Sequence, residues 1–281
     1  MNGLMPRYCC PAGFLFPNLP LEQRLDAVAA AGIGGVELWA RADRYRDLDV
    51  TSVSAEHVNR LCRDRGLSVV SLGAHPPTDT AHVRSVVALA AELGAGTVVI
   101  GCRGESVGEA LCELRPAFAH AARAGVRIAV HNHVNGLILD ADDMARLCAT
   151  VDPQAGGLAF APTHAVMAGQ DPMDLIDRFG DRMLQLWLWD LWPGAGEAPS
   201  WLAEVYGHGR EQFPGSGTLP FRRYLTAPGG REPGPLLNFM PHGVQEWPAE
   251  RTVRALRDSL RWLSAREARA HDVEDGCDRL R

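Results

Sequence analysis

Short apolar runs alternate with amphipathic helical repeats from one end of this chain to the other. That alternation limits the fold more than any other feature. The apolar runs are Arg7–Cys10, Gly35–Trp39, Leu67–Leu72, Thr97–Ile100, Arg127–His133, Gly157–Ala161, Met183–Trp189 and Pro235–Met240. Between them, residues recur at helical spacing. Examples are Leu21, Leu25, Val28 and Ala29; Val83, Val86, Val87, Ala90 and Leu93; and Val107, Ala110, Leu111, Leu114 and Phe118. Further helices are expected at Ser54–Arg65, at Asp140–Ala149, after the Asp171-Pro172 start signal, at Leu219–Leu225, and through Val253, Leu256, Leu260 and Leu263. Gly32, Gly66, Gly94 and Gly180 stand where helices must stop, and Pro116 predicts a kink. Regular strand–helix alternation implies parallel strands joined by right-handed crossovers. Eight such units predict an α/β fold closed as a single (β/α)8 barrel, and 281 residues suit one.

No linker or low-complexity tract interrupts the pattern, so residues 1–265 read as the barrel. Residues 266–281 read as a charged tail, expected to fray. Residues 191–217 form one long irregular stretch holding Trp192, Trp201, Tyr206, His208 and Arg210. A loop of that length in a compact domain reads as a lid or binding loop.

Composition removes whole mechanisms. All 28 basic residues are arginine. There can be no lysine Schiff base, no covalently held pyridoxal phosphate and no P-loop lysine. With 34 acidic residues the net charge is −6, and no dense basic run exists, so no nucleic-acid partner is expected. Seven scattered cysteines without a CxxC pair point to a reducing compartment. The opening MNGLMPRYCC has no apolar h-region, and no apolar run approaches a membrane span. The expectation is a cytoplasmic protein with a small-molecule substrate and no membrane partner.

In a (β/α)8 barrel the chemistry sits at the C-terminal strand ends. Here these carry Glu37, His75, Arg103 and Glu105, His131 and His133, Thr163 and His164, Trp187, Trp189 and Asp190, and Met240 to His242. Five of the ten histidines fall in this small fraction of the chain. His131 and His133 are two apart on one predicted strand, so both should project to one side; the same holds for Trp187 and Trp189. Their plainer readings are core histidines bonded to backbone and aromatic barrel filling. Arg103 is positioned to hold a phosphate or carboxylate. Cys10 and Cys102 approach the mouth or the core without a neighbouring base to activate them.

The motifs Gly35-Val-Glu-Leu, Glu92-Leu-Gly-Ala-Gly-Thr-Val-Val, Ile128-Ala-Val-His-Asn-His, Leu158-Ala-Phe-Ala-Pro-Thr-His and Leu186-Trp-Leu-Trp-Asp stand in this order. The chain thereby resembles the xylose isomerase-like barrels, the sugar phosphate isomerase/epimerase superfamily, over about residues 7–265. The resemblance implies one divalent metal held by two glutamates, an aspartate and a histidine. At those places this chain has His131, Ala161, Trp187 and, within a one-residue register choice, Phe239 or Met240. The companions His133, His164 and Asp190 persist. Hard cations want carboxylate oxygens, so no metal or other cofactor is expected.

Three readings remain open. The first is a metal-independent isomerase, epimerase, lyase or cyclase acting on a small, non-sugar or aromatic substrate. In it His131, His133 and His164 exchange protons, with Asp190 or Glu37 orienting one of them. His75, Arg103, Trp187, Trp189, Met240 and His242 would contact the substrate. The second is a rebuilt zinc-like site of His131, His133, His164 and His242. The third is a non-catalytic binding relative. The resemblance also allows a homodimer.

Overall fold

The structure, a computed structural model, describes residues 7–41, 45–74, 79–191, 212–226 and 234–277, without the side chains of Arg222 and residues 265–277. The strands are β1 (Tyr8–Pro11), β2 (Gly35–Trp39), β3 (Ser68–Gly73), β4 (Thr97–Ile100), β5 (Arg127–His131), β6 (Gly156–Phe160), β7 (Met183–Leu188) and β8 (Leu236–Phe239). They close one barrel in chain order, every neighbouring pair parallel. The helices are α1 (Ala12–Leu15), α2 (Leu21–Ala30), α3 (Ala55–Arg63), α4 (Thr80–Leu93), α5 (Val107–Ala124), α6 (Ala141–Thr150), α7 (Pro162–Met167), α8 (Pro172–Phe179), α9 (Phe221–Thr226) and α10 (Ala249–Cys277).

The local reasons are visible in the caps. Ser54, Asp79, Ser106 and Asp140 each accept a backbone N–H of the helix they start. Those side chains satisfy donors that a helix start leaves open. α5 runs through Pro116 without being divided. α10 continues as helix to Cys277, through residues the composition marks as a charged tail. Of the loop 191–217, residues 192–211 lie outside the described residues, as does His75. Among the described residues, no helix is long and apolar enough to cross a membrane.

Paired positions of parallel strands project to the same side, so the register says which side chains face the barrel interior. Glu37 pairs with Ser71, His131 with Ala159, and Trp187 with Asn238. The β8 register is thereby resolved. Asn238 and, two residues on, Met240 face inward, while Phe239 packs outward on Tyr8 with ring centroids 5.9 Å apart. Two predicted boundaries shift. β5 ends at His131, so His133 stands in the following turn. β6 ends at Phe160, and His164 rides on the short helix α7, which the apolar pattern did not reveal.

Candidate functional site

Side-chain staples fix the barrel mouth. Between His131 and His133, Asn132 turns toward the neighbouring strand. Its Oδ1 accepts the Ala161 N–H at 2.6 Å and its Nδ2 donates to the Ala161 carbonyl at 3.1 Å. That pins β5 to the start of α7. The Thr163 hydroxyl donates to the Trp189 carbonyl and ties α7 to the end of β7. Across the mouth, the buried Arg24 guanidinium pairs with Asp47 at 2.9 Å and also donates to the Pro17, Leu19 and Arg46 carbonyls. Asp47 Oδ2 accepts the backbone N–H groups of Gly13 and Trp39. This strap sets Phe14, Trp39 and Tyr45 beside one another, with Phe14 5.2 Å from Trp39 and 5.3 Å from Tyr45 between ring centroids. Gly73 leaves room for it, since a Cβ there would run into the Trp39 indole. Burial pushes the Asp47 carboxyl up to about 6 against the opposing Trp39 N–H and Arg24.

These staples surround a cavity of about 210 Å³. His131, His133, His164, His242, Arg103, Trp187 and Met240, all singled out by their strand-end positions, line it. Phe14, Trp39, Arg41, Tyr45, Cys102 and Asn135 line it too. Arg41 was legible as the next step of the Glu37, Trp39, Arg41 alternation. Phe14 and Tyr45 carry no comparable signal, because the short helix α1 and the segment of Tyr45 are set in place by the Arg24–Asp47 strap.

The histidines form one aromatic cluster drawn from separate segments. His131 stacks on Trp187 with centroids 3.8 Å apart. His133 lies 4.1 Å from His164 and 5.5 Å from His131, and His131 is 5.3 Å from His164. His242 sits between Phe14 at 5.0 Å and Trp189 at 4.6 Å. Burial keeps several of these imidazoles neutral. His133 is pushed down to about 4 by burial and then by the Arg103 guanidinium. His242 is pushed down to about 3 by burial and by His133, against a hydrogen bond to Met240. His164 falls well below the ordinary 6.5 through burial, His133 and His242. His133 Nδ1 accepts the Asn135 N–H at 3.0 Å, so a neutral His133 carries its proton on Nε2. His164 Nδ1 is buried with no hydrogen-bond partner among the described residues.

Three expected site residues stand elsewhere. Glu37 is fully buried below the cavity and accepts from Trp39 Nε1 at 2.7 Å, Ser71 Oγ at 2.7 Å and Gln185 Nε2 at 2.9 Å. Its oxygens hold three strands together, and among the described residues they orient no histidine. Asp190 accepts the backbone N–H groups of Leu191, Gly215, Gly217 and Leu219. It anchors the return of the long loop and, among the described residues, likewise orients no histidine. Trp189, with no exposed surface, backs His164 and His242 instead of lining the cavity. Cys102 does line it, but burial and Asp143 hold its thiol up at about 11, too high for a thiolate nucleophile.

The residues do not fit the divalent metal that the resemblance implies. Ala161 and Met240 have no ligand atom, and Trp187 offers only an indole N–H donor. Glu37, an inward carboxylate on β2, is occupied by three donors. Among the described residues, no group of three or more His, Cys, Asp or Glu side chains is placed to hold a metal ion. The four-histidine zinc reading therefore finds no support in this geometry.

Comparison with known proteins adds the ancestry. The family described as xylose isomerase-like TIM barrel matches residues 25–227. An inosose dehydratase of Lacticaseibacillus casei is 22% identical over 244 residues, covering 75% of this chain and 81% of the relative. Among solved structures, a sugar phosphate isomerase/epimerase from Parabacteroides distasonis superposes with a TM-score of 0.67 at 17% identity, over 94% of this chain and 97% of that one. The 3-keto-D-glucoside 4-epimerase of E. coli superposes with a TM-score of 0.68 at 16% identity, over 93% of this chain and 100% of that one. At such identities the structures speak for the fold alone, and the family match, which spans most of the chain, speaks for descent. The chain belongs to the xylose isomerase-like TIM barrel family.

Proposed function

We propose that the protein is a metal-independent enzyme of the isomerase, epimerase or dehydratase kind, working by proton transfer between substrate and histidines at the barrel mouth. One observation carries this reading. His131, His133 and His164 come from a strand, a turn and a short helix, and their rings meet within 5.5 Å in a single cavity. The relatives named above include a dehydratase and epimerases. Those reactions share removal of a proton beside a carbonyl.

Without a Lewis acid, the carbonyl oxygen needs another partner as negative charge grows on it. His133 is suited to that role, because its Nε2 keeps a proton while Nδ1 is occupied by the Asn135 N–H. His164 Nδ1 is the atom available to take the substrate proton. His131, held flat against Trp187, is placed to return a proton at another carbon or to a leaving hydroxyl. Trp187 and Met240 keep water from the reacting carbon. A ligand-binding role without catalysis is the second reading. The low basicity of His164 favours it, since proton transfer is most efficient with a pKa near the working pH.

The test is solvent exchange. A panel of cyclic and open-chain hydroxyketones and keto acids is incubated with the protein in D2O containing chelator, and deuterium at carbon is followed by NMR. Enzyme-dependent exchange that is lost in His164→Ala and His133→Ala supports the reading. Exchange that stops with chelator and returns with manganese overturns metal independence. A panel member that raises the melting temperature without exchanging supports the binding reading instead.

A further inference from the structure

The cavity lining is unlike a sugar site in its hydrogen-bond polarity. A neutral polyol presents many hydroxyl hydrogens, and each needs an acceptor once buried. Among the described residues that line the cavity, no side chain is a carboxylate, and Asn135 carries the one amide. The charged groups of this lining are instead the guanidiniums of Arg41 and Arg103, joined by the His133 Nε2–H donor, while its acceptors are neutral: His164 Nδ1, the Asn135 amide oxygen and the Tyr45 hydroxyl, which can also donate. The strand-end carboxylates Glu37 and Asp190 do not line it, and both are taken up by donors of the fold. In a chain of net charge −6, a described lining with two guanidiniums and no acid is a local reversal of sign.

We infer that this cavity takes a ring-shaped organic anion: a carboxylate held by Arg103 and Arg41, with its ring against the aromatic and apolar wall. The inference rests on reading the cavity as the substrate site, and it adds the substrate's chemical class. The Arg41 guanidinium lines the cavity 5.0 Å from the Trp39 ring centroid and 5.8 Å from that of Tyr45, which holds it beside both rings. Arg103 stands at the same mouth and is exposed, so it can meet an incoming anion before it is desolvated. Phe14, Trp187 and Met240 supply apolar surface for a flat ring. A guanidinium presents paired N–H donors that match the two oxygens of a carboxylate.

Thermal shift and calorimetry on the full chain test this with four probes: benzoate, its uncharged counterpart benzamide, myo-inositol and inorganic phosphate. Benzoate is expected to raise the melting temperature and to bind at least tenfold tighter than benzamide or myo-inositol. Its affinity should fall with added salt and drop about tenfold in Arg103→Gln, with a comparable loss in Arg41→Gln. Each variant's melting temperature without probe confirms that it is folded. Equal binding of benzamide, unchanged affinity in both arginine variants, or no benzoate binding up to tens of millimolar overturns the inference. Phosphate binding as tightly as benzoate overturns the carboxylate assignment. Deuterium exchange is read separately. Exchange without carboxylate preference sinks this inference and spares the catalytic reading, and carboxylate binding without exchange does the reverse.

Discussion

The strand-end carboxylates and the strand-end histidines occupy the same barrel and have opposite kinds of surroundings. Glu37 accepts from three side chains on β2, β3 and β7, and Asp190 accepts from four backbone N–H groups. Each carboxylate is enclosed by donors supplied by the fold itself. The histidines have ring neighbours more than hydrogen-bond partners, and His164 Nδ1 has none among the described residues. A buried polar group that the fold satisfies is part of its architecture. One that the fold leaves open, in a cavity wall, is available to a ligand. The contrast predicts that the carboxylates can be broken only at the expense of stability, and the histidines only at the expense of function.

The largest stability effect should come from Asp190→Ala. Four backbone donors lose their acceptor, and the return of the long loop comes loose. Orphaned buried donors cost roughly 1–3 kcal/mol each before relaxation, so a loss on the order of 4 kcal/mol is expected. That corresponds to a melting temperature lower by about 10 °C. A drop under about 1 kcal/mol in denaturant titration would show that the anchor is redundant. Glu37→Gln should come next, at about 2 kcal/mol. The amide nitrogen of Gln is a donor, and it would face Trp39 Nε1, Ser71 Oγ and Gln185 Nε2, which already donate there. Neutral stability in this variant would place Glu37 among the groups that await a ligand.

Acidification gives a smaller, graded effect with a defined sign. His133, His164 and His242 all have pKa values lowered by burial, so below the ordinary 6.5 the unfolded chain binds more protons than the folded one. Their stabilising contribution is complete above pH 6.5 and is lost as pH falls through the folded value, about 4 for His133. For His133, half-buried in the mouth, a contribution of about 1–2 kcal/mol remains after discounting the shift for solvent. Melting curves between pH 7 and pH 4 should therefore slope downward, and His133→Asn should flatten part of the slope. An unchanged slope in that variant removes His133 from the linkage. Asp47 runs the opposite way. Its raised pKa of about 6 means that its contribution is full below the ordinary 3.8 and is lost as pH rises through 6, so the two effects partly offset.

The barrel was legible because its signal is repeated. Each unit carries its own apolar run, helical stripe and glycine stop, and the (β/α)8 reading tolerates errors of one or two residues at each boundary. The site was legible only in part, for physical reasons that differ by residue. His131, Trp187 and Met240 follow from strand period and position, while His133 was reached by position alone, since its strand ends at His131. His164 was found by position although its element was misread, since a six-residue helix opened by Pro162 has too few apolar positions to show a period. Glu37 and Asp190 were misassigned because sequence shows a carboxylate and hides its hydrogen-bond partners. Those partners arrive from β3, β7 and residues 215–219, far along the chain. Phe14 and Tyr45 were invisible for the same reason, since a buried arginine 10 and 21 residues away holds the chain beside them in place.

His164→Leu gives the sharpest version of the contrast because its expected effect on stability is the smallest. In most proteins a buried histidine ring is held by hydrogen bonds, and its removal costs stability. Here Nδ1 has no partner among the described residues, and the neighbours are the rings of His131, His133 and Trp189. Leucine fills similar space without an unsatisfied nitrogen, so the change in stability should stay within about 1 kcal/mol and can be favourable. It also removes a proton acceptor from the mouth, so exchange activity should fall by about a hundredfold or more. A protein that keeps or gains stability while losing exchange carries a polar group retained for chemistry. A loss of several kcal/mol would move His164 to the side of Glu37 and Asp190, and the line between architecture and function would then have to be drawn through the histidine cluster itself.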